Sequence, residues 1–381
     1  MSRLSPNIAL NAEALLQKAA AQTGLSDFGD DAFREPYELL LQSLRDEARL
    51  NKQGVIMLQR TILRLLVNRL LTEQAFAANP EMAETPIERP LYILGFPRTG
   101  TTLLHNLLSR DPAARWLRLW EGLHPAPPPE SLEDDPRIAQ TEEFVAGFEK
   151  IAPRLASAHK LNATGPEECL WLIEHTFADF IFELRANIPS YSDWLAGHEA
   201  DAVWYRYYRR QLQMLSWKCR GIHWVCKAPR HLPGLGGLLS VLPDARIVQT
   251  HRGAENVLPS ICSLCEITRS AASDVVDKAA IGAHWHQRLH EIERRASEVR
   301  AAADPAQFLD VQYADLVADP IGTVRRIYEH HGCDYSDEFE NGMKQWLADN
   351  RQHKHGAHRY SLEEYGLDAQ TVRSDFAGIE K

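Results

Sequence analysis

The stretch Leu91-Tyr92-Ile93-Leu94-Gly95-Phe96-Pro97-Arg98-Thr99-Gly100-Thr101-Thr102 decides the fold. Its first four residues are an apolar run between Pro90 and Gly95, which reads as a buried strand. Leu103 to Leu108, just after it, is apolar and helical in character. Between them the glycines permit a tight turn that brings backbone N–H groups toward one point, and the new helix adds unpaired donors and the positive end of its dipole. Strand, glycine turn and helix together predict a pocket for an anion.

The turn matches the frame G-x-x-x-x-G-K-[ST] of a Walker A loop, except that Thr101 stands where the lysine belongs. An NTPase needs that lysine, with Mg²⁺, to neutralise a triphosphate. A sulfuryl group carries less charge, so Arg98, Thr101, Thr102 and backbone donors suffice for it without metal. Val225 is followed by Cys226 and Lys227, not by the aspartate that would hold Mg²⁺. Two rival readings are a nucleotide kinase or NTPase, which the missing lysine opposes, and a non-catalytic nucleotide-binding protein.

Outward from the loop, strand-like runs recur at Ile222 to Cys226, Ala245 to Thr250 and Phe308 to Tyr313. Each precedes a helix-like segment: Leu235 to Leu242, Ala254 to Leu264 and Ile321 to His330. Alternation of this kind predicts an α/β fold, a P-loop-like parallel sheet flanked by helices. Residues 1–85 read as a helical N-terminal region, with Ile56, Leu58, Ile62, Leu63, Leu66 and Leu70 at helical spacing. Residues 86–381 form the anion-binding domain, interrupted at about 110–220 by a helical insertion with six tryptophans. In it Trp171, Phe177, Phe180, Phe182, Tyr191 and Trp194 serve either as an apolar pocket or as ordinary core.

The 381 residues, 44% hydrophobic and 25% charged with a net charge of −10, suit a globular protein and disfavour a nucleic-acid partner. No apolar run approaches the roughly 20 residues of a bilayer span, and the start lacks a secretory core. The six cysteines are sparse and read as reduced thiols, so a cytoplasmic protein is expected.

Pro97-Arg98-Thr99-Gly100-Thr101-Thr102 resembles the 5′-phosphosulfate loop of sulfotransferases that use 3′-phosphoadenosine 5′-phosphosulfate (PAPS). It is most similar to the branch holding tyrosylprotein sulfotransferases and many bacterial enzymes. A second motif follows in the right order: Arg252 ends a strand-like run and Ser260 lies eight residues on. In the family such a pair holds the 3′-phosphate, although Gly253-Ala254 replaces the commoner Asp-Pro or Asp-Gly. Tyr313 implies a nucleotide contact, and Arg351 and Lys354 lie where relatives close a basic loop over the donor. A metal site on His353, His355 and His358 is the weaker alternative there, for want of a nearby carboxylate or cysteine.

The resemblance therefore implies a sulfotransferase that moves a sulfuryl group from PAPS to a small-molecule hydroxyl acceptor, with a hydrophobic acceptor among the options. The bisphosphate PAP is the product and no metal is required. Arg98 and Lys227 are the expected charge stabilisers. Glu121, beside Trp116 and Trp120, is preferred as general base because apolar burial raises a carboxyl pKa. His231, four residues past Lys227, is the second option, and Glu167 with Glu168 the third.

Overall fold

A computed structural model describes residues 9–151, 161–350 and 361–377. Three helices open it: α1 (Ala12–Thr23), α2 (Arg34–Asp46) and α3 (Lys52–Ala78). Strand β1 (Leu91–Leu94) leads through the glycine turn into α4 (Thr101–Leu108). Then come β2 (Ala114–Trp116), α5 (Leu119–Leu123), α6 (Pro136–Ile151), α7 (Leu170–Ile173), α8 (Ile181–Arg185), α9 (Pro189–His198) and α10 (Ala202–Ser216). The second half holds β3 (His223–Lys227), α11 (Leu235–Val241), β4 (Arg246–His251), α12 (Ala254–Ala272) and α13 (Lys278–Ala302). It closes with β5 (Phe308–Gln312), α14 (Tyr313–Ala318), α15 (Pro320–His331), α16 (Asp337–Asp349) and α17 (Ala369–Phe376).

The five strands form one parallel sheet in the order β2-β3-β1-β4-β5. This is the α/β architecture the alternating pattern predicts, with one addition. The sequence suggests four strands; β2, inside the stretch read as insertion, is a fifth. Its three residues at the sheet edge include an arginine, too short and polar a run to stand out. Strand ends also move: Ile222 is 81% exposed and outside β3, and Tyr313 begins a helix instead of ending a strand.

Strand β1 is central and fully buried, and its side chains alternate between two cores. Leu91 and Ile93 join Val225, Val248 and Val311 against α4, α15 and α16. Tyr92 and Leu94 join Trp224, Cys226 and Ile247 against α10, α12 and α13. Covered on both faces, the sheet leaves its carboxyl edge for ligands. Ile93 pairs with Lys227 and Leu94 with Gln249, so the glycine turn, Lys227 and Arg252 emerge on that edge together.

The aromatic insertion is mainly core. Phe177, Phe180, Phe182 and Tyr191 are buried, with Phe177 and Phe182 stacked at 6.5 Å and Tyr191 edge-on to Phe182 at 6.1 Å. Among the described residues no helix is long and apolar enough to cross a membrane.

Candidate active site

The turn after β1 is held open by its backbone. Gly95 has φ 148°, and a Cβ there would stand 2.3 Å from Thr250 Oγ1. Thr99 Oγ1 donates to the Phe96 carbonyl at 2.7 Å and lies 2.7 Å from Thr250 Oγ1. Thr250 Oγ1 is in turn 3.2 Å from the Leu94 carbonyl, so Thr99 and Thr250 lock the loop to β4. Gly100, at φ 93°, caps α4 without any side-chain bond. The first helical bond runs from Leu104 N to Gly100 O at 3.0 Å, so the first-turn amides of Thr101, Thr102 and Leu103 lack an i−4 partner within the helix.

Arg98 is exposed and adopts φ 73°, a conformation that is costly outside glycine and that concentrates at ligand sites. Its carbonyl accepts from Arg252 Nη1 at 3.0 Å. The Arg252 guanidinium lies over the Tyr313 ring, 4.2 Å from its centroid. The structure thus gathers Pro97, Arg98, Thr99, Gly100, Thr101, Thr102, Arg252 and Tyr313 at one corner. A cleft of about 200 Å³ opens beside it, lined by Gly95, Phe96, Thr99, Arg252, Gly253 and Gln312 among others. Ser260 is half-buried on the second turn of α12. Arg351 and Lys354, like the histidines between and after them, lie outside the described residues.

At the end of β3, Lys227 is 2% exposed and its Nζ reaches Glu168 Oε1 at 2.5 Å. Two backbone bonds deliver the carboxylate: Glu167 N to Leu117 O at 2.8 Å, and Cys169 N to Lys227 O at 2.9 Å. The Glu168 side chain keeps 16% of its surface, so the pair is reachable from outside. Beneath it His105 of α4 is buried, and desolvation followed by the Lys227 charge lowers its pKa to about 3.

The two preferred bases are engaged elsewhere. Glu121 is wholly buried, and Arg115 spans both of its oxygens. The Arg118 N–H adds a third bond to Oε2 at 3.0 Å. An arginine pair, not the apolar face of tryptophans, therefore sets its environment. His231 is also fully buried, its ring 4.8 Å from that of Tyr92 and Nδ1 3.2 Å from the Tyr205 hydroxyl. Glu168, third in the sequence ranking, is the carboxylate that the fold brings to Lys227. The family-like string Gly165-Pro166-Glu167-Glu168-Cys169 was its only sequence signal.

Comparison with known proteins identifies the family. The model of a sulfotransferase family matches residues 90–337. The omega-hydroxy-beta-dihydromenaquinone-9 sulfotransferase Stf3 of Mycobacterium tuberculosis (strain CDC 1551 / Oshkosh) is 25% identical over 303 residues, spanning 75% of this chain and 74% of its own. Its counterpart from Mycobacterium bovis matches equally. The crystal structure of sulfotransferase STF1 from Mycobacterium tuberculosis H37Rv superposes with a TM-score of 0.87 at 36% identity, covering 97% of this chain and 98% of that one. That of STF9 from Mycobacterium avium gives a TM-score of 0.89 at 30% identity, with 97% and 95% covered.

Proposed function

The chain belongs to the sulfotransferase family, and from that premise we propose that PAPS is its donor, that Glu168 is its base and that its acceptor is a hydrophobic alcohol. Sulfuryl transfer is the family's reaction. The observation that carries the site assignment is the Lys227–Glu168 pair beside a lysine-free anion loop.

In this reading residues 86–381 form the donor-binding domain and 1–85 a helical N-terminal region whose leucines share one core with it. The α4 amides, Thr101, Thr102 and Arg98 hold the donor's 5′-phosphosulfate, and Arg252, Ser260 and Tyr313 its nucleotide end. Arg351 and Lys354 remain candidates for closing over the donor. No metal is needed, because the transferred group's charge is met by arginine, lysine and oriented N–H groups.

Glu168 takes the acceptor's hydroxyl proton as the oxygen attacks sulfur in line. The new O–S bond forms while the bond from sulfur to the phosphate oxygen breaks. Its electron pair stays on that oxygen, giving PAP, and Lys227 meets the charge there. Arg98 stabilises the sulfuryl oxygens. Glu121 and His231 become structural in this account, since one is saturated by Arg115 and the other enclosed by tyrosines.

Two observations favour a hydrophobic acceptor. The Stf3 relatives act, by name, on a hydroxylated menaquinone derivative. In this chain α7 begins two residues after Glu168, and its Trp171 packs with Val145 and Phe148 of α6 around Leu119, Leu123 and Leu161. Phe144, stacked 6.3 Å from Phe148, is 42% exposed at the edge of this cluster. A cytoplasmic location belongs to the same proposal and is supported by the cysteines, which are all free.

The test is a transfer assay from labelled PAPS in EDTA, with prenyl-chain alcohols, phenols and sugars as acceptors. Sulfated prenyl alcohol is the expected product, and Glu168→Gln should abolish it. Preference for sugars would remove the acceptor assignment, and full activity of Glu168→Gln would remove the base.

A further inference from the structure

His105 sits one helical turn beyond Thr101, on the face of α4 that packs against β3, and is 1% exposed. Its Nε2 is buried without a hydrogen-bond partner. Val225 of β3 shares the core between the sheet and α4 with Leu104, and Lys227 lies two residues further along the same strand face. A neutral imidazole has one N–H and one lone pair. With the N–H on Nδ1, the ring is left with a bare acceptor at Nε2 inside the protein, which is costly unless something meets it.

The charged groups acting on this ring are Lys227 first, then Glu167 and Arg110. Lys227 acts most strongly and has donors to spare. An ammonium has three N–H groups, and Glu168 Oε1 takes one. When Glu168 accepts the acceptor's proton it becomes neutral, and its hold on the ammonium weakens just as the leaving oxygen needs a cation. A second carboxylate in this place would keep Lys227 in position but cancel its charge. A neutral acceptor keeps the position and leaves the charge available.

We propose that His105 is a positioning residue for Lys227: its lone pair takes an N–H of the ammonium once Glu168 is protonated, holding the cation toward the leaving oxygen. This rests on the roles proposed above for Lys227 and Glu168. The effect belongs to the transition state, so it falls on kcat and not on donor affinity.

The test is a double-mutant cycle on the full chain, measuring kcat and PAP affinity. His105→Leu should lower kcat about tenfold or more with PAP affinity within about twofold, and His105→Gln, which keeps an acceptor, should recover most of it. In a Lys227→Ala background His105→Leu should add less than about twofold. Unchanged kcat, or the same loss in both backgrounds, overturns the inference. If Lys227→Ala itself is harmless, the site assignment falls instead. Should His105→Leu not fold, ¹⁵N-histidine spectra of Glu168→Gln, which mimics the protonated base, decide the matter. The His105 acceptor nitrogen should then shift relative to the parent chain, and no shift overturns the proposal.

Discussion

Arg252 donates from Nη1 to the backbone carbonyl of Arg98 at 3.0 Å, tying the end of β4 to the tip of the anion loop. The two arginines lie 154 residues apart in the chain. One bond therefore couples the cation proposed for the donor's 3′-phosphate to the residue proposed to stabilise the sulfuryl group.

Loss of that side chain should act on the donor. Arg252→Ala is expected to weaken PAP binding by about tenfold to a hundredfold, the scale of one charge-assisted contact, and to lower kcat much less. Calorimetric titration beside steady-state kinetics separates the two.

Glu168 and Glu121 should respond in opposite ways to the same change. Glu168→Gln is expected to cut kcat by about 10²- to 10⁴-fold with only a small loss of melting temperature, because its side chain is partly exposed. Glu121→Gln breaks a fully buried pair with Arg115, which costs about 3–5 kcal/mol and shows first as a lower melting temperature. Thermal denaturation and turnover of both variants decide which carboxylate is chemical.

The glycine turn should not tolerate a methyl group. A Cβ at position 95 would meet Thr250 Oγ1 at 2.3 Å, and φ there is 148°. Gly95→Ala must push Thr250 and Thr99 apart, so PAP affinity should drop more than about tenfold, and stability should fall by about 1–3 kcal/mol. Denaturant melts and PAP titration check both effects.

Stability should also depend on pH through Asp179. Burial pushes its carboxyl up to about 7, with nearby Arg230 only partly offsetting this. A carboxyl whose folded pKa is raised binds its proton more tightly when folded, so its contribution is whole below the unfolded value and is lost as pH rises toward 7. Between pH 5 and pH 8 the parent chain should lose more of its melting temperature than Asp179→Asn does. Parallel slopes would contradict this.

Much of the donor side of the site is legible in sequence because it is local. Strand, turn and helix are contiguous around Gly95–Thr102, and Lys227 and Arg252 each close an apolar run, so their place on the sheet edge follows from topology. The proposed base is different. Glu168 meets Lys227 across 59 residues, through backbone bonds to Leu117 and Lys227 that no spacing reveals. The neighbours of Glu121 in sequence are tryptophans, whereas in space Arg115 spans its carboxylate, which no spacing reveals. His105 reads as one more polar residue in an apolar helix; only its burial with an unpartnered Nε2 marks it. Strand β2 escapes for want of length.

The most direct measurement is calorimetric titration of PAP in excess EDTA, with ATP–Mg²⁺ titrated separately as control. Tight, metal-free binding of PAP is expected, sharply weakened in Arg98→Ala, with feeble binding of the magnesium nucleotide. Binding of PAP only when magnesium is restored, or an Arg98→Ala variant that binds as the parent does, would contradict this.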